Sequence, residues 1–507
     1  MLKIFCNGQV VKLTFVPLFK PCFYQSFHSC QKITIYFYNK NKDNQIERFC
    51  YLHIVNDLVL NLNDLVIGFP IAMVVLLIAW LIRPFVTNQH TRNYFVPALF
   101  VKMIGAVLLG LLYYFYYGGG DTFNYFTHGA IHIYDAFWES PAAGIKLIFG
   151  KTDYTGGVYR YASHIWMYDD PTSYNVVRVA GFISLFVGGS YIGTSLLFAV
   201  LSFTGLWAMY SAFTKLFPGR EWVLALAILF IPSAVFWGSG ILKDTITFGF
   251  IGWATAAFIH LIYWRRRWIL WLFVLVVSLY IIYLIKLYVV MSLLPAMIVW
   301  AYFVSIRRVR NQMLRYMIAP FVIIIAATLS GIAVYTVGET NSKYSVDNLA
   351  ETARITAYDV GRWTGKNAGS RYDLGDLDGT FAGMLRLGPS AINVALFRPY
   401  LWEVRNPLML LASLEGLAIM VLTVVVVIRR WNDMHVVINN PAVIFSLIFA
   451  LTFAFAVGIS TYNFGTLFRY KVPLMPFYGL FLAVAWSKSK VYKKQKRNML
   501  EINLTDS

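Results

Sequence analysis

Long apolar runs separated by short polar stretches dominate the chain. A membrane-spanning helix needs about 20 mostly apolar residues. Runs of that kind lie at 64–83, 96–117, 192–213, 222–239, 244–263, 268–285, 287–305, 317–337, 406–428, 441–459 and 470–487. The pattern predicts an all-α polytopic membrane protein of about 11 transmembrane helices, within a range of about 10–12. The range reflects the stretch 176–190, which is apolar but short and carries Arg178. A half-helix, a re-entrant segment and an interfacial helix all fit it. No internal repeat and no low-complexity tract stands out.

Composition agrees with the pattern. Of 507 residues, 59% are hydrophobic and only 13% charged, whereas a soluble domain is about a quarter charged. Soluble, disordered and fibrous classes are excluded. The net charge of +19 would raise nucleic acid as a partner in a soluble protein. Here basic residues are expected in cytoplasmic loops, where they hold the topology, and nucleic acid is not expected. The clusters at Arg265–Arg267, at Arg307, Arg308, Arg310 and Arg315, at Arg429–Arg430 and from Lys488 to Arg497 all fall on one side of the span order. Placing them in the cytoplasm puts a basic tail, 488–507, inside. It puts two long loops, 118–175 and 338–405, on the exterior face, where short amphipathic helices are expected. The domain is then 64–487.

Residues 1–63 differ in kind. They mix Lys, Asn, Phe and Tyr without a sustained period and hold all four cysteines, Cys6, Cys22, Cys30 and Cys50. A small disulfide-bearing exterior domain is one reading. A start codon placed too early is the other, and it is preferred because the orientation above leaves so basic a segment outside. The segment is expected to be poorly ordered.

Four stretches carry candidate chemistry. Gly118-Gly119-Gly120-Asp121 ends a helix and places an acid at the membrane surface, where it can serve as a general base or hold a cation. An interfacial Asp at a helix end fits equally well. Further along the same loop, His128 and His132 are four apart and would share a helix face. The absence of an HExxH pattern favours a plain interfacial helix over a metal site. Ser239-Gly240-Ile241-Leu242-Lys243-Asp244 joins two apolar runs. A Lys–Asp pair at the hydrocarbon edge usually faces a protein interior or a watery cavity, so phosphate contact by Lys243, oriented by Asp244, is preferred to a snorkelling lysine.

Arg469-Tyr470-Lys471-Val472-Pro473 opens the last apolar run. Two cations there run against the positive-inside trend, and arginine forks onto phosphate or carboxylate. The long second loop contains Asp373, Asp376 and Asp378, a pattern only superficially like a calcium loop because the terminal Glu spacing is missing. It then reaches Arg398 and Glu403, which would line a headgroup site. Glu415, inside the next run, is expected to face the bundle. The topology brings Asp121, Lys243, Asp244, Arg398, Glu403 and Arg469 to one face.

An acid in the first large exterior loop, the Ser239–Asp244 stretch and the Arg469–Pro473 stretch resemble the GT-C superfamily of integral-membrane glycosyltransferases, of the bacterial envelope-polysaccharide type. The resemblance covers 64–487. Two features depart from it: an extra span precedes the one leading into the acidic loop, and no sizeable soluble domain follows Lys488. What it implies is a polyprenyl-phosphate-linked sugar donor, a lipid-linked or envelope glycan acceptor and the inner membrane of a bacterium. Asp121 would be the catalytic acid or base, and Lys243, Asp244, Arg398, Glu403, Arg469 and Lys471 would form the substrate-binding set. No cofactor is certain, and the loop acid leaves room for a divalent metal. Two rival expectations stand beside the transferase: an envelope polysaccharide polymerase or ligase, and a transporter or flippase of a lipid-linked substrate.

Overall fold

The computed structural model describes residues 2–6, 9–13, 34–36, 62–306, 354–355, 358, 370–375 and 380–486. The chain divides into two units, Met1–Leu62 and Asn63–Ser507. In the first, strand β1 (Leu2–Cys6) pairs antiparallel with β2 (Gln9–Leu13) and with β3 (Thr34–Tyr36), giving the order β2-β1-β3. Strands of three to five residues are too short to show a period, which is why the sequence pattern did not reveal them. The expected poor order of 1–63 otherwise falls on residues outside those described, as does the tail 488–507.

The second unit is helical. Helix α1 (Leu62–Val86) turns back into α2 (Arg92–Leu111), which continues as a π-helical turn, Leu112–Tyr117. Short helices follow: α3 (Asp121–Tyr125), α4 (Ile131–Glu139), α5 (Pro141–Phe149) and α6 (Tyr159–Ala162). Then come α7 (Pro171–Ser184), α8 (Tyr191–Leu216), α9 (Glu221–Ile228), α10 (Pro232–Trp237), α11 (Lys243–Ile259), α12 (Trp268–Ile285) and α13 (Leu287–Ile306). Further along the chain, α14 (Phe381–Arg386) and α15 (Gly388–Phe397) lead to α16 (Pro407–Arg430), α17 (Met434–Ile438), α18 (Pro441–Thr461), α19 (Phe464–Tyr470) and α20 (Met475–Trp486).

Among the described residues, eight helices are long and apolar enough to cross a membrane, which makes the chain a multi-pass helical membrane protein. They coincide with eight of the apolar runs. The run 317–337 lies outside the described residues. The other two runs are not single helices. The run 222–239 is broken into α9 and α10 because Pro232 has no N–H to donate and pushes Ile231 into an extended conformation, φ −66° and ψ 123°. The run 470–487 is broken by a 3₁₀ turn, Val472–Leu474, centred on Pro473. The short stretch 176–190 divides between the end of α7, a 14-residue helix that starts earlier, at Pro171, under an Asp170 cap, and the turn that follows Ser184.

Close packing sets the centre of the bundle. An added Cβ at Gly205 of α8 would lie 1.8 Å from the Gly249 carbonyl oxygen of α11, and one at Gly252 would lie 2.4 Å from the Gly205 carbonyl carbon. Only glycine lets these two helices approach so closely, as small residues do between membrane helices. The indole of Trp300 on α13, fully buried, stacks on Phe445 of α18 with centroids 4.4 Å apart. At one end of the bundle Ser190, the α8 cap, donates to Asp64 of α1 at 2.7 Å, and Tyr191 packs against Gly110 of α2. The short helices α3 to α6 lie in the connection between α2 and α7, at this same end.

Candidate functional site

Three glycines build the turn after α2. Gly118, Gly119 and Gly120 have φ of 65°, 140° and 122°, a region that L side chains rarely enter. At Gly120 a Cβ would also meet the Tyr113 ring at 2.8 Å. The chain therefore folds back over the end of α2, and Asp121 becomes the first residue of α3.

Opposite it stands Arg469, at the end of α19. Its Nη1 donates to Asp121 Oδ2 at 2.5 Å and to the Tyr113 hydroxyl at 3.4 Å, while its Nε donates to Asp244 Oδ2 at 2.7 Å. Asp244, fully buried, also accepts from the ammonium of Lys286 through Oδ1. Two carboxylates and two cations thus alternate along one chain of contacts, Asp121–Arg469–Asp244–Lys286. Such a buried network is viable because each charge meets an opposite one. Asp121 is the open end, with 44% of its side chain exposed against 0% for Asp244.

A cavity of about 460 Å³ adjoins the open end. Its lining combines the polar Asp121, Arg469 and Asn463 with the aromatic and apolar Tyr113, Tyr116 and Met409. Ser370, from the second long loop, also lines it. That loop is tied down where the Phe464 N–H donates to the Ser370 carbonyl at 2.8 Å and Asn463 Nδ2 donates to Ser370 Oγ at 3.1 Å.

The remaining expected residues sit elsewhere. Lys243 donates to Thr172 Oγ1 at 2.7 Å and pairs with Asp170 at 3.6 Å. Burial pushes the Asp170 carboxyl up, but hydrogen bonds from Ser173 and Thr172 and the Lys243 charge outweigh it and hold it below the usual carboxylate range. Arg398 and Glu403 bind each other, Arg398 Nε donating to both carboxylate oxygens at 3.1 and 3.0 Å. Burial opposes the Glu403 charge, but Arg398 and the Tyr400 N–H pull its carboxyl below the ordinary value. This pair packs behind the cavity wall, with the guanidinium 5.4 Å from the Phe464 ring.

Lys471 is buried, its ammonium has no hydrogen-bond partner, and it lies 5.4 Å from the Phe468 ring. Glu415 does face the bundle: its Oε2 accepts from the Ser233 N–H at 2.7 Å, tying α16 to the start of α10. Lys286, absent from the expected set, could have been found by the rule that singled out Arg469: it is a cation between two apolar runs on the face where cations are scarce.

The two loop histidines each pack against a ring from the stretch that follows α6. His128 leaves helical geometry at φ −99° and ψ 22° inside a π turn and stacks on Trp166 at 3.7 Å, while His132 faces His164 at 5.5 Å. Among the described residues, no group of three or more His, Cys, Asp or Glu side chains is placed to hold a metal ion. The Asp121 carboxylate faces the Arg469 guanidinium. Of the calcium-like stretch, Asp373 accepts from the Gly375 N–H at 2.9 Å, and Asp376 and Asp378 lie outside the described residues. Comparison of the chain with family models, curated proteins and solved structures found no match.

Proposed function

We propose that this chain is a membrane glycosyltransferase of GT-C type, with about 11 spans. It moves a sugar from a polyprenyl-phosphate-linked donor to an envelope acceptor at the exterior leaflet of the bacterial inner membrane. The observation that carries the reading is Arg469, held between Asp121 and Asp244 at the edge of a cavity lined by both polar and apolar residues. A lipid-linked phosphate needs a cation beside an apolar surface, and the transfer needs a base within reach of the same phosphate.

The step balances as follows. The donor phosphate draws Arg469 away from Asp121 and frees that carboxylate. Asp121 takes the proton of the acceptor hydroxyl, whose oxygen bonds to the anomeric carbon. The bond from that carbon to the phosphate oxygen breaks, and its electron pair leaves with the polyprenyl phosphate. Arg469 stabilises the charge that develops there, where a fixed cation is worth most. Asp244 and Lys286 hold Arg469 in place, and Lys243 adds positive charge next to Asp244. Ser370, from the second long loop, adds a hydroxyl to the cavity lining.

The test is a mass-spectrometric profile of envelope glycans and lipid-linked intermediates. It compares a deletion strain with the same strain rescued by wild type or by Asp121→Asn. One missing sugar with accumulated donor, in both the deletion and the Asp121→Asn strains, is the expected result. Shortened chains would replace the transferase by a polymerase or ligase.

The breaks between α9 and α10 and before α20 favour a second reading, a flippase, since transporters use broken helices around their substrate. Movement of a lipid-linked glycan across vesicles without chemical change would decide for it.

A further inference from the structure

A second cavity, of about 530 Å³, lies away from the cluster. Arg220 and Trp222 line it from the start of α9, Arg429 and Arg430 from the end of α16, and Trp486 from the end of α20. The charged residues along its wall are all arginines, and these come from segments far apart in sequence. Helix α16 measures the distance between the two cavities. Met409 lines the first and Arg429 the second, a separation of roughly 30 Å at 1.5 Å per residue, which is the hydrocarbon thickness of a bilayer. The second cavity therefore sits at the opposite membrane surface, at headgroup level. Trp222 and Trp486 are 55% and 38% exposed there, as indoles are at membrane interfaces.

The arginines are held in place. The Arg429 guanidinium lies 5.0 Å from the Trp486 ring, and that of Arg220, 3% exposed, lies 5.6 Å from the Phe217 ring. Arg430 reaches Asp433 at 3.4 Å and the Trp486 carbonyl oxygen at 3.4 Å. Guanidinium forks match the oxygens of a phosphate group, and basic pockets between membrane helices receive lipid headgroups. We propose that this cavity binds a phosphate group, that of an anionic phospholipid in the adjacent leaflet. The inference rests on the spanning of α16 and on the cavity, not on the proposed transfer reaction. It differs from general attraction of basic loops to an anionic surface, because its arginines converge on one cavity, whereas Arg265–Arg267 at the turn before α12 are exposed.

The test is native mass spectrometry of the full chain, released from bilayers of phosphatidylcholine mixed with phosphatidylglycerol. Wild type is expected to retain phosphatidylglycerol selectively. Arg429→Gln and Arg220→Gln are each expected to weaken retention about tenfold, the size of one lost charge-assisted contact. Arg266→Gln is the control for non-specific attraction and is expected to change nothing.

Arg220 is buried and its replacement can disturb folding. Arg429→Gln, at an exposed position, keeps the proposal open to failure, with size-exclusion profiles confirming intact protein. Titration with inorganic phosphate separates the two sources: binding of phosphate without lipid retention would overturn the lipid and leave a soluble phosphate compound as occupant. Equal retention by wild type and Arg429→Gln, or loss equally large in Arg266→Gln, would overturn the site itself.

Discussion

Arg469 Nε donates to Asp244 Oδ2 at 2.7 Å across 225 positions of sequence, and the same guanidinium reaches Asp121 with Nη1. One side chain thereby ties the turn after α2, the start of α11 and the end of α19. Removing one partner of a buried ion pair costs about 3–5 kcal/mol, because the other charge is left buried without compensation. Asp244→Asn and Arg469→Gln are each expected to lower stability on that scale. The double variant should lose clearly less than the sum. Thermal unfolding in detergent, read as a double-mutant cycle, checks this; additive losses would mean that the two residues do not support one another.

Asp121 should behave differently. Its side chain is half exposed and bonded at one end only, so Asp121→Asn is expected to leave the unfolding temperature close to wild type. If it is the base, transfer should fall about 10²–10⁴-fold, the range for loss of a general base. A quantitative transfer assay beside the unfolding curve separates the two effects. Full activity in this variant would remove Asp121 from the chemistry.

The spans were legible because hydrocarbon thickness sets a length that the apolar runs either meet or miss. Where the reading failed, the cause lay in local backbone chemistry rather than hydropathy. Pro232 and Pro473 stand inside apolar runs and break them, and both were visible. The meeting of Asp121, Asp244 and Arg469 was legible only at the level of a shared face. Their contacts depend on helix packing that no local pattern encodes. Lys286 stands between two apolar runs as a legible cation, but its pairing with Asp244, 42 positions away, depends on the same packing. The Arg398–Glu403 pair was grouped with the site, yet its two members are five residues apart and bind each other. Glu403 also closes a local turn by accepting from the Tyr400 N–H at 2.8 Å.

Lys471 offers a test of whether proximity in sequence to Arg469 means a shared role. Its ammonium is buried without a hydrogen bond, within reach of the Glu415 charge. A buried charge without a bonded partner costs stability. Lys471→Met is therefore expected to unfold at or above the wild-type temperature. The same variant should also keep most of the transfer activity. Loss of activity with an intact fold would return Lys471 to the substrate-binding set.

The α8–α11 contact makes a steric prediction. A methyl group at Gly205 would penetrate the Gly249 carbonyl, so Gly205→Ala forces the helices apart. Overpacking of this kind costs about 1–3 kcal/mol. Gly388→Ala, where the nearest atom is a Phe455 ring carbon at 3.5 Å, is the control and should be tolerated. Because Asp244 lies on the displaced helix, Gly205→Ala should also reduce transfer without touching the cavity.

His132 gives the chain a predictable response to acid. Burial, with the nearby His164 and His128 charges adding to it, pushes its imidazole down from 6.5 to about 4. The folded state therefore resists a proton that the unfolded chain accepts at about 6.5. The stability this provides is complete above that pH, declines as pH falls from about 6.5, and is lost once pH passes through the folded value near 4. The Asp153 carboxyl, drawn down to about 2 chiefly by its bond from Lys146, acts in a lower window and does not overlap. Unfolding temperatures of wild type and His132→Gln are expected to converge as pH falls from about 6.5 to about 4. A difference that stays constant across that window would mean that His132 is protonated in the folded protein as readily as in the unfolded chain.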